Sequence, residues 1–253
     1  MPVKLSIITV NLNNIDGLKK TCESIINQSS TDFEWIIIDG LSSDGSLEIV
    51  KENERYIKYW ISEKDEGVYS AMNKGISISE GEYLLFLNSG DILRDNYVIE
   101  KIIPLLMDQD FYIGEEKSLK GIKSLKFENR DSIFEILLKG SFPHQASFIN
   151  RRVFKVIGKY NEKYKIVSDW WLMFCAFLHN ASFSFLPYII SEYDVTGISS
   201  KHYDIVLYER IRLFLRLLTN PLFNIKKKFH LSFQIIKSLK TLLYLKLIKL
   251  FPH

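Results

Sequence analysis

Carboxylates stand directly after two apolar segments of this chain, a position that suits metal and nucleotide chemistry. Asp39 follows the apolar run Trp35–Ile38. Asp91 ends the polar turn Asn88–Asp91, which follows the run Tyr83–Leu87. Ligands of open α/β sheets bind beyond the carboxyl ends of the strands, so both side chains would lie at one edge of a sheet. Since buried charges need partners and oxygen ligands suit a divalent cation, the pattern favours a metal and a nucleotide over a folding core.

The segment Gly40–Ser46, which follows Asp39, resembles a phosphate-binding loop but lacks the lysine expected after its second glycine. The chain also has no GxGxxG dinucleotide motif. Asp39 can instead accept hydrogen bonds from a ribose or from the N–H of a base. The alternative is an Asx-type turn that caps the next helix, and Asp44 suits that alternative better than Asp39 does.

The segment Asp65–Gly75 combines a loop carboxylate with a predicted helix that carries Lys74. Asp65 could take part in the same site, or it could serve only as a favourable charge near the start of a helix. Lys74 could meet a phosphate, although a lone lysine on a helix is usually just solvated.

Asp169 lies at the start of a predicted helix, beside the aromatic ring of Trp170. A carboxylate there can act as a general base, and an aromatic face suits a sugar ring. The alternative is a helix cap, formed by Ser168, with a tryptophan anchored in the core. His144 lies between the two halves of the chain and could meet a metal or a phosphate, but no second histidine stands at ligand spacing.

Apolar runs alternate with helical patterns along the first ninety residues, which predicts an α/β fold with a parallel sheet and helices on both faces. The predicted strands are Leu5–Val10, Trp35–Ile38, Ile57–Ile61 and Tyr83–Leu87. The predicted helices between them are Leu18–Asn27, Leu47–Asn53 and Val68–Ser79. Later in the chain we predict helices over Asp95–Met107 and Asp169–His179, strands over Phe111–Gly114, Ala146–Asn150 and Ser182–Ile190, and a loop or hairpin over Gly114–Arg130.

Charge divides the 253 residues unevenly. Residues 201–253 carry a formal charge of +9, whereas residues 1–200 carry −6. Leu231–Tyr244 has apolar residues at helical spacing, with Lys237 and Lys240 on the other side. We therefore expect this basic tail to dock on an anionic membrane surface. One alternative is that its helices pack on the domain. Nucleic-acid binding is less favoured because few aromatic residues lie among the basic ones. No apolar run reaches the roughly 18–20 residues of a membrane span, and the N-terminus and the two cysteines predict a cytoplasmic protein.

Taken together, five segments resemble the family 2 glycosyltransferases, inverting enzymes of the GT-A fold. The resemblance extends over about residues 4–195 and is carried by Ser6–Asn11, Ile38–Ser46, Asp65–Gly75, Gly81–Asp91 and Ser168–Trp170. It implies a Rossmann-like mixed sheet flanked by helices. We divide the chain into a domain over residues 1–200, with a nucleotide-binding half (1–91) and an acceptor half (92–200), and a basic helical extension over 201–253.

The resemblance also implies a nucleotide-diphosphate sugar donor, most commonly a UDP-sugar, a Mg²⁺ or Mn²⁺ ion, and a glycan or lipid-linked acceptor. By position, the nucleoside pocket would be lined by Thr9, Asn11 and Asp39 and closed by Asp65. Asn88 and Asp91 would occupy the first and last positions of a DxD-type motif, and Asp169 would be the general base.

The chain departs from the family pattern at three positions. Asn88 and Gly90 replace frequent aspartates, so that Asp91 alone remains charged, and Ser168 stands where many members have glutamate. These departures motivate an alternative, a catalytically degenerate sugar-nucleotide-binding or scaffold subunit. A nucleotidyltransferase is not favoured because the segment Asn11–Gly17 is not basic.

Overall fold

A mixed sheet of nine strands, with helices on both faces, forms the centre of the computed structural model, which describes residues 3–119, 121–194, 197, 201–219, 230–232 and 234–241. The strands are β1 (Leu5–Asn11), β2 (Phe33–Asp39), β3 (Tyr59–Ser62), β4 (Tyr83–Phe86), β5 (Ile92–Leu93), β6 (Phe111–Ser118), β7 (Gly121–Lys123), β8 (Ser147–Asn150) and β9 (Phe183–Glu192). The helices are α1 (Ile15–Ile26), α2 (Ser46–Glu52), α3 (Val68–Ile78), α4 (Val98–Ile102), α5 (Arg130–Lys139), α6 (Arg151–Val156), α7 (Ser168–Leu178) and α8 (Tyr203–Leu218).

The strands lie in the order β3-β2-β1-β4-β8-β6-β9-β5, and β7 pairs with β6. β1 is parallel to β2 and β4, and β2 is parallel to β3, so the carboxyl ends of the first four strands share one edge. The register places Asn11 beside Asp39, and Asp39 beside Ser62. β8 runs antiparallel to β4 and β6, which makes the second half of the sheet mixed. The predicted α/β fold with a mixed sheet is confirmed.

Alternate side chains of the central strands enter two separate apolar cores. Ile8 and Val10 of β1 belong to the core that contains residues of α3, α5 and α7. Leu5 and Ile7 belong to the core that contains residues of α1, α2 and α4. Because successive strand residues point to opposite faces, a strand covered on both sides is apolar throughout. This explains the uninterrupted apolar runs of the first ninety residues.

The predicted elements of the first half are present, with their ends shifted by at most three residues. The single helix predicted over Asp95–Met107 is shorter. It consists of α4 and a 3₁₀ turn over Ile103–Leu105. Pro104 lies in that turn, and a proline lacks the N–H that would continue an α-helix.

β6 continues through Gly114, where a loop or hairpin was predicted to begin. A Cβ atom on Gly114 would lie 2.2 Å from Cγ1 of Ile190 in β9, so this glycine permits close approach of two paired strands. The hairpin comes later, between β6 and β7, where Gly121 has a φ of +109°. α5 and α6 were not predicted from the sequence.

α7 begins at Ser168, and its N-cap is Val167. The prediction that Ser168 caps this helix was therefore wrong by one residue. The hydroxyl of Ser168 instead accepts a hydrogen bond from the backbone N–H of Asn161. Asp169 still lies in the first turn, where a negative charge is favourable.

The described part of the basic extension packs on the domain. Phe214 and Leu217 of α8, together with Leu231 and Ile235, are buried in the same core as α3, α5 and α7. The predicted tail residues 242–253 lie outside the described residues. Within the described residues, no helix combines the length and apolar character needed to cross a membrane.

Candidate active site

A cavity of about 730 Å³ lies beyond the carboxyl ends of β1 and β4 and beside the first turns of α3 and α7. Seven of the ten predicted site residues line it: Asn11, Asp65, Asn88, Asp91, His144, Asp169 and Trp170. Thr9, Asp39 and Lys74 do not line it. The fold therefore gathers residues from both halves of the chain around one space.

Asp39 lies behind the cavity wall and holds Asn11 in place. Its carboxylate accepts hydrogen bonds from Asn11 Nδ2 at 2.8 Å, from the N–H and hydroxyl of Ser42, and from the hydroxyl of Ser62. Burial works to raise the pKa of Asp39, but the hydrogen bonds from Ser42, Ser62 and Asn11 hold it below its ordinary value. The charged Asp39 thus orients Asn11, whose Oδ1 is buried without a hydrogen-bond partner among the described residues.

Thr9 is wholly buried, and its hydroxyl accepts a hydrogen bond from Trp35 Nε1 at 3.0 Å. The structure therefore does not place Thr9 in the nucleoside pocket. Val10 and Asn11, which lie nearer the carboxyl end of β1, line the cavity instead.

Asp65 and Lys74 form a loop-to-helix ion pair at the cavity wall. Lys74 Nζ lies 2.6 Å from Asp65 Oδ1 and 2.6 Å from Glu63 Oε1. The side chain of Asp65 is only 8% exposed. Lys74 thus pairs with two carboxylates and is not among the residues that line the cavity, so its contact with a phosphate stays a prediction.

The turn after β4 is held in place by Thr21 of α1. The hydroxyl of Thr21 accepts a hydrogen bond from the N–H of Gly90 at 3.0 Å and donates one to the backbone oxygen of Asp91 at 2.8 Å. Asp91 Oδ1 accepts a hydrogen bond from the backbone N–H of Asp194, and Asp91 is 4% exposed. Burial, together with the nearby carboxylates of Asp194 and Glu116, raises the pKa of Asp91 to about 7.

Among the described residues, no group of three or more histidine, cysteine, aspartate or glutamate side chains could hold a metal ion. Asp91 alone still suits Mg²⁺ or Mn²⁺, because such ions are often held by one or two carboxylates together with substrate phosphates. A cation would also stabilise the ionised form of Asp91 beside two other carboxylates. The donor set therefore fits a metal that arrives with a diphosphate and not a metal held by the protein alone.

Two side chains lie against the carboxylate of Asp169. The hydroxyl of Tyr69, which also contacts the backbone oxygen of Ile166, donates to Oδ1 at 2.8 Å, and His144 Nδ1 lies 3.7 Å from Oδ2, beyond hydrogen-bond distance. Burial and the charge of Asp169 raise the pKa of Tyr69 well above its ordinary value, so the hydroxyl keeps its proton. Burial lowers the pKa of His144, although Asp169 and Glu116 act in the other direction. His144 Nε2 lies 3.2 Å from Asn88 Nδ2.

Trp170 lies in the core and offers little surface to a ligand. The side chain is 3% exposed, its Nε1 donates to the backbone oxygen of Leu137 at 2.7 Å, and the guanidinium of Arg210 lies 4.8 Å from the ring centroid. This is the arrangement predicted by the alternative, in which the tryptophan anchors the start of α7.

Tyr69, Glu116 and Asp194 line the cavity but were not among the predicted site residues. Tyr69 stands in the segment Asp65–Gly75, where a polar tip on an otherwise buried helix was a usable signal. Glu116 is buried in β6, where its carboxylate accepts a hydrogen bond from Gln145 and lies 3.3 Å from Lys123. Nothing in the sequence pattern marked that position.

Comparison with known proteins assigns the family. The chain matches the model of Glycosyl transferase family 2 over residues 6–154. It belongs to this family. The chain is therefore a family 2 glycosyltransferase, and its mixed sheet flanked by helices is similar to the GT-A fold.

One relative of this family 2 glycosyltransferase is the PGL/p-HBAD biosynthesis glycosyltransferase of Mycobacterium tuberculosis. It is 31% identical over 173 residues, which are 65% of this chain and 66% of that protein. The match thus spans just under two thirds of the relative's length.

Two solved structures are similar in fold. Staphylococcus aureus TarS 1–349 in complex with UDP-GlcNAc aligns with a TM-score of 0.71 and 18% identity, over 93% of this chain and 71% of that one. The mannosyltransferase PcManGT from Pyrobaculum calidifontis, in complex with GDP-Man and Mn²⁺, aligns with a TM-score of 0.64 and 12% identity, over 94% of this chain and 74% of that one.

Proposed function

We propose that this glycosyltransferase moves a sugar, with inversion, from a UDP-sugar to a hydroxyl of a glycan or lipid-linked acceptor. The observation that carries the proposal is that Asp169 and Asp91 line one cavity, although they come from different halves of the chain. A base and a metal-binding carboxylate are the two groups that this reaction needs on opposite sides of the sugar.

Asp169 is the general base in this proposal. It takes the proton of the acceptor hydroxyl while that oxygen forms a bond to the anomeric carbon. The bond from the anomeric carbon to the diphosphate oxygen breaks in the same step, and its electron pair leaves with the nucleoside diphosphate. A single displacement inverts the anomeric centre.

The donor would lie along the ends of β1, β2 and β4. Asn11 Oδ1, which is buried and unpaired among the described residues, can accept an N–H or O–H of the nucleoside. Asp39 supports Asn11 from behind, and Asp65 would close the pocket. Asp91 would hold Mg²⁺ or Mn²⁺ together with the diphosphate. When bound, this cation neutralises the charge of the leaving group.

The complexes in the two structural relatives support a nucleotide-sugar donor but differ in the nucleobase. TarS was solved with UDP-GlcNAc and PcManGT with GDP-Man and Mn²⁺. We take UDP as the first donor to test and GDP as the second.

We also propose that the basic extension brings the enzyme to the inner face of a membrane, which makes it a peripheral cytoplasmic protein. Ile236 and Leu239 are 53% and 48% exposed, next to Lys237 and Lys240 on the same helical segment. Exposed apolar side chains beside cations suit an anionic lipid surface. Cosedimentation with anionic but not with neutral vesicles, reduced in the double variant Ile236→Ser and Leu239→Ser, is the expected result.

Calorimetric titration tests the donor site. UDP and GDP, each with and without Mn²⁺, would be titrated into the wild type, Asp91→Ala and the control Asp32→Ala, an exposed aspartate outside the cavity. We expect Mn²⁺-dependent binding of one nucleotide by the wild type and the control, lost in Asp91→Ala. A folded protein that binds neither nucleotide would support the scaffold alternative that Asn88 and Gly90 motivate.

A further inference from the structure

His144 occupies the space between the carboxylate of Asp169 and the amide of Asn88. It lies on the 3₁₀ turn His144–Ala146, which precedes β8. Nδ1 is 3.7 Å from Asp169 Oδ2, and Nε2 is 3.2 Å from Asn88 Nδ2. The ring thus joins the side of the cavity with the base to the end of β4.

The charges around the ring determine which nitrogen carries the proton. The carboxylates of Asp169 and Glu116 and the ammonium of Lys123 act on His144. A neutral imidazole has one N–H and one lone pair. A lone pair on Nδ1 would be repelled by the carboxylate of Asp169, so Nδ1 carries the proton and Nε2 accepts.

This tautomer fixes the orientation of the Asn88 amide. Nε2 needs a donor, and only the NH₂ group of Asn88 can supply one, so Nδ2 faces the ring. Oδ1 then faces away, and it is buried without a hydrogen-bond partner among the described residues. An unpaired buried acceptor is unfavourable unless a ligand satisfies it.

We propose that His144 is a positioning residue that presents Nδ1–H to the carboxylate of Asp169 and, through Nε2, turns Asn88 Oδ1 toward a hydroxyl of the sugar donor. This inference rests on the proposed role of Asp169 as the base. Tyr69 donates to Oδ1 of the carboxylate, and the N–H dipole of His144 lies near Oδ2 without a hydrogen bond. A carboxylate has enough lone pairs to accept the proton of the acceptor as well.

The same arrangement accounts for asparagine at position 88. An aspartate has no N–H for Nε2 and would place a second carboxylate against the ring. Asn88→Asp, which makes the turn more like a DxD motif, is therefore expected to lower kcat. If position 88 served simply as a metal ligand, the added carboxylate would instead raise kcat.

The test uses the nucleotide sugar that the wild type consumes fastest among UDP-GlcNAc, UDP-glucose and GDP-mannose, with Mn²⁺ and with water as the acceptor. His144→Phe keeps a ring but has no N–H, and we expect its kcat to fall about a hundredfold with the donor KM changed less than about threefold. His144→Asn places an amide N–H near Nδ1 and should recover at least about tenfold of that loss. His179→Phe, an exposed histidine at the end of α7, is the matched control and should behave as the wild type.

The outcomes separate the inference from the function on which it rests. Wild-type turnover by Asp169→Asn would overturn the proposed base itself. Loss of turnover in Asp169→Asn together with wild-type kcat in folded His144→Phe would overturn only the role of His144. If His144→Phe does not fold, His144→Asn and Asn88→Asp decide. A kcat of His144→Asn within about tenfold of the wild type, together with a lowered kcat of Asn88→Asp, supports the inference. A larger loss in His144→Asn, or an unchanged or raised kcat in Asn88→Asp, overturns it.

Discussion

The hydroxyl of Tyr69 donates a hydrogen bond to Oδ1 of Asp169 across 2.8 Å, between residues one hundred positions apart in the chain. The bond joins the first turn of α3 to the first turn of α7. The position of the proposed base thus depends on a residue from the part of the chain, residues 1–91, that we propose binds the donor.

Tyr69→Phe removes this donor and leaves the ring packing intact. Because the carboxylate would be free to rotate away from the acceptor hydroxyl, we expect kcat to fall about tenfold at an unchanged donor KM. Steady-state kinetics with a UDP-sugar and Mn²⁺ measure this effect. A large rise in KM with unchanged kcat would instead show that Tyr69 serves donor binding.

Asp91→Asn is expected to stabilise the ligand-free protein while it abolishes metal-dependent nucleotide binding. The pKa of Asp91 is raised from its ordinary value of 3.8 to about 7, so the folded protein holds this proton more tightly than the unfolded chain does. Wild-type stability therefore falls as the pH rises from about 4 to about 7, and the amide does not titrate.

Thermal unfolding in EDTA at pH 4 to 8 measures this difference. The Tm of Asp91→Asn should exceed that of the wild type by an amount that grows up to about pH 7 and then levels off. Each kcal/mol of difference in the unfolding free energy corresponds to about 2–4 °C. A variant that is less stable than the wild type at pH 8 would contradict the buried, destabilised carboxylate.

Gly90→Ala tests how closely the turn after β4 approaches Asp194. Gly90 has a φ of +105°, and a Cβ atom there would lie 2.6 Å from Asp194 Oδ2. Gly158 has a φ of +93° with no atom within 4 Å of such a Cβ, so Gly158→Ala carries the backbone strain alone. We expect Gly158→Ala to cost about 1–2 kcal/mol of unfolding free energy and Gly90→Ala about 1–3 kcal/mol more. An equal loss of unfolding free energy in both variants would mean that the Asp194 side chain moves away from the added methyl group without strain.

The pair of Asp65 and Lys74 should be coupled more strongly than a surface ion pair. A double-mutant cycle with Asp65→Asn and Lys74→Met should give about 0.5–3 kcal/mol, because Lys74→Met leaves a nearly buried carboxylate without its cation. The exposed pair Asp95 and Lys101, at 3.4 Å, should give no more than about 1 kcal/mol in the same denaturant titrations. A coupling no larger than this control would mean that the loop of Asp65 is not held by Lys74.

Local patterns were sufficient for most elements of residues 1–91. The central strands there are covered on both faces, so their apolar runs were visible. The polar residues at strand ends marked Asn11 and Asp91, and the loop before α3 marked Asp65. Thr9 lies two residues before the end of β1, and a strand pattern does not say how far along the strand a cavity reaches.

The rest depended on contacts between distant segments. A glycine such as Gly114 usually indicates a turn, but here it lies inside β6 and lets this strand approach β9 closely. Only the pairing of the two strands explains it. Lys74 was expected at a phosphate because Glu63 and Asp65 were not known to lie within reach of its ammonium. Glu116 enters the site from the middle of β6, and no local signal distinguishes it from an ordinary strand residue.

Turnover by Asp169→Asn tests the central claim most directly. Donor consumption would be measured with a UDP-sugar and Mn²⁺, together with calorimetric binding of the same nucleotide to the variant. We expect Asp169→Asn to bind the nucleotide as the wild type does and to lose at least about a hundredfold in kcat, because an amide cannot take the proton of the acceptor. Undiminished kcat in this variant would contradict Asp169 as the base and with it the proposed reaction geometry.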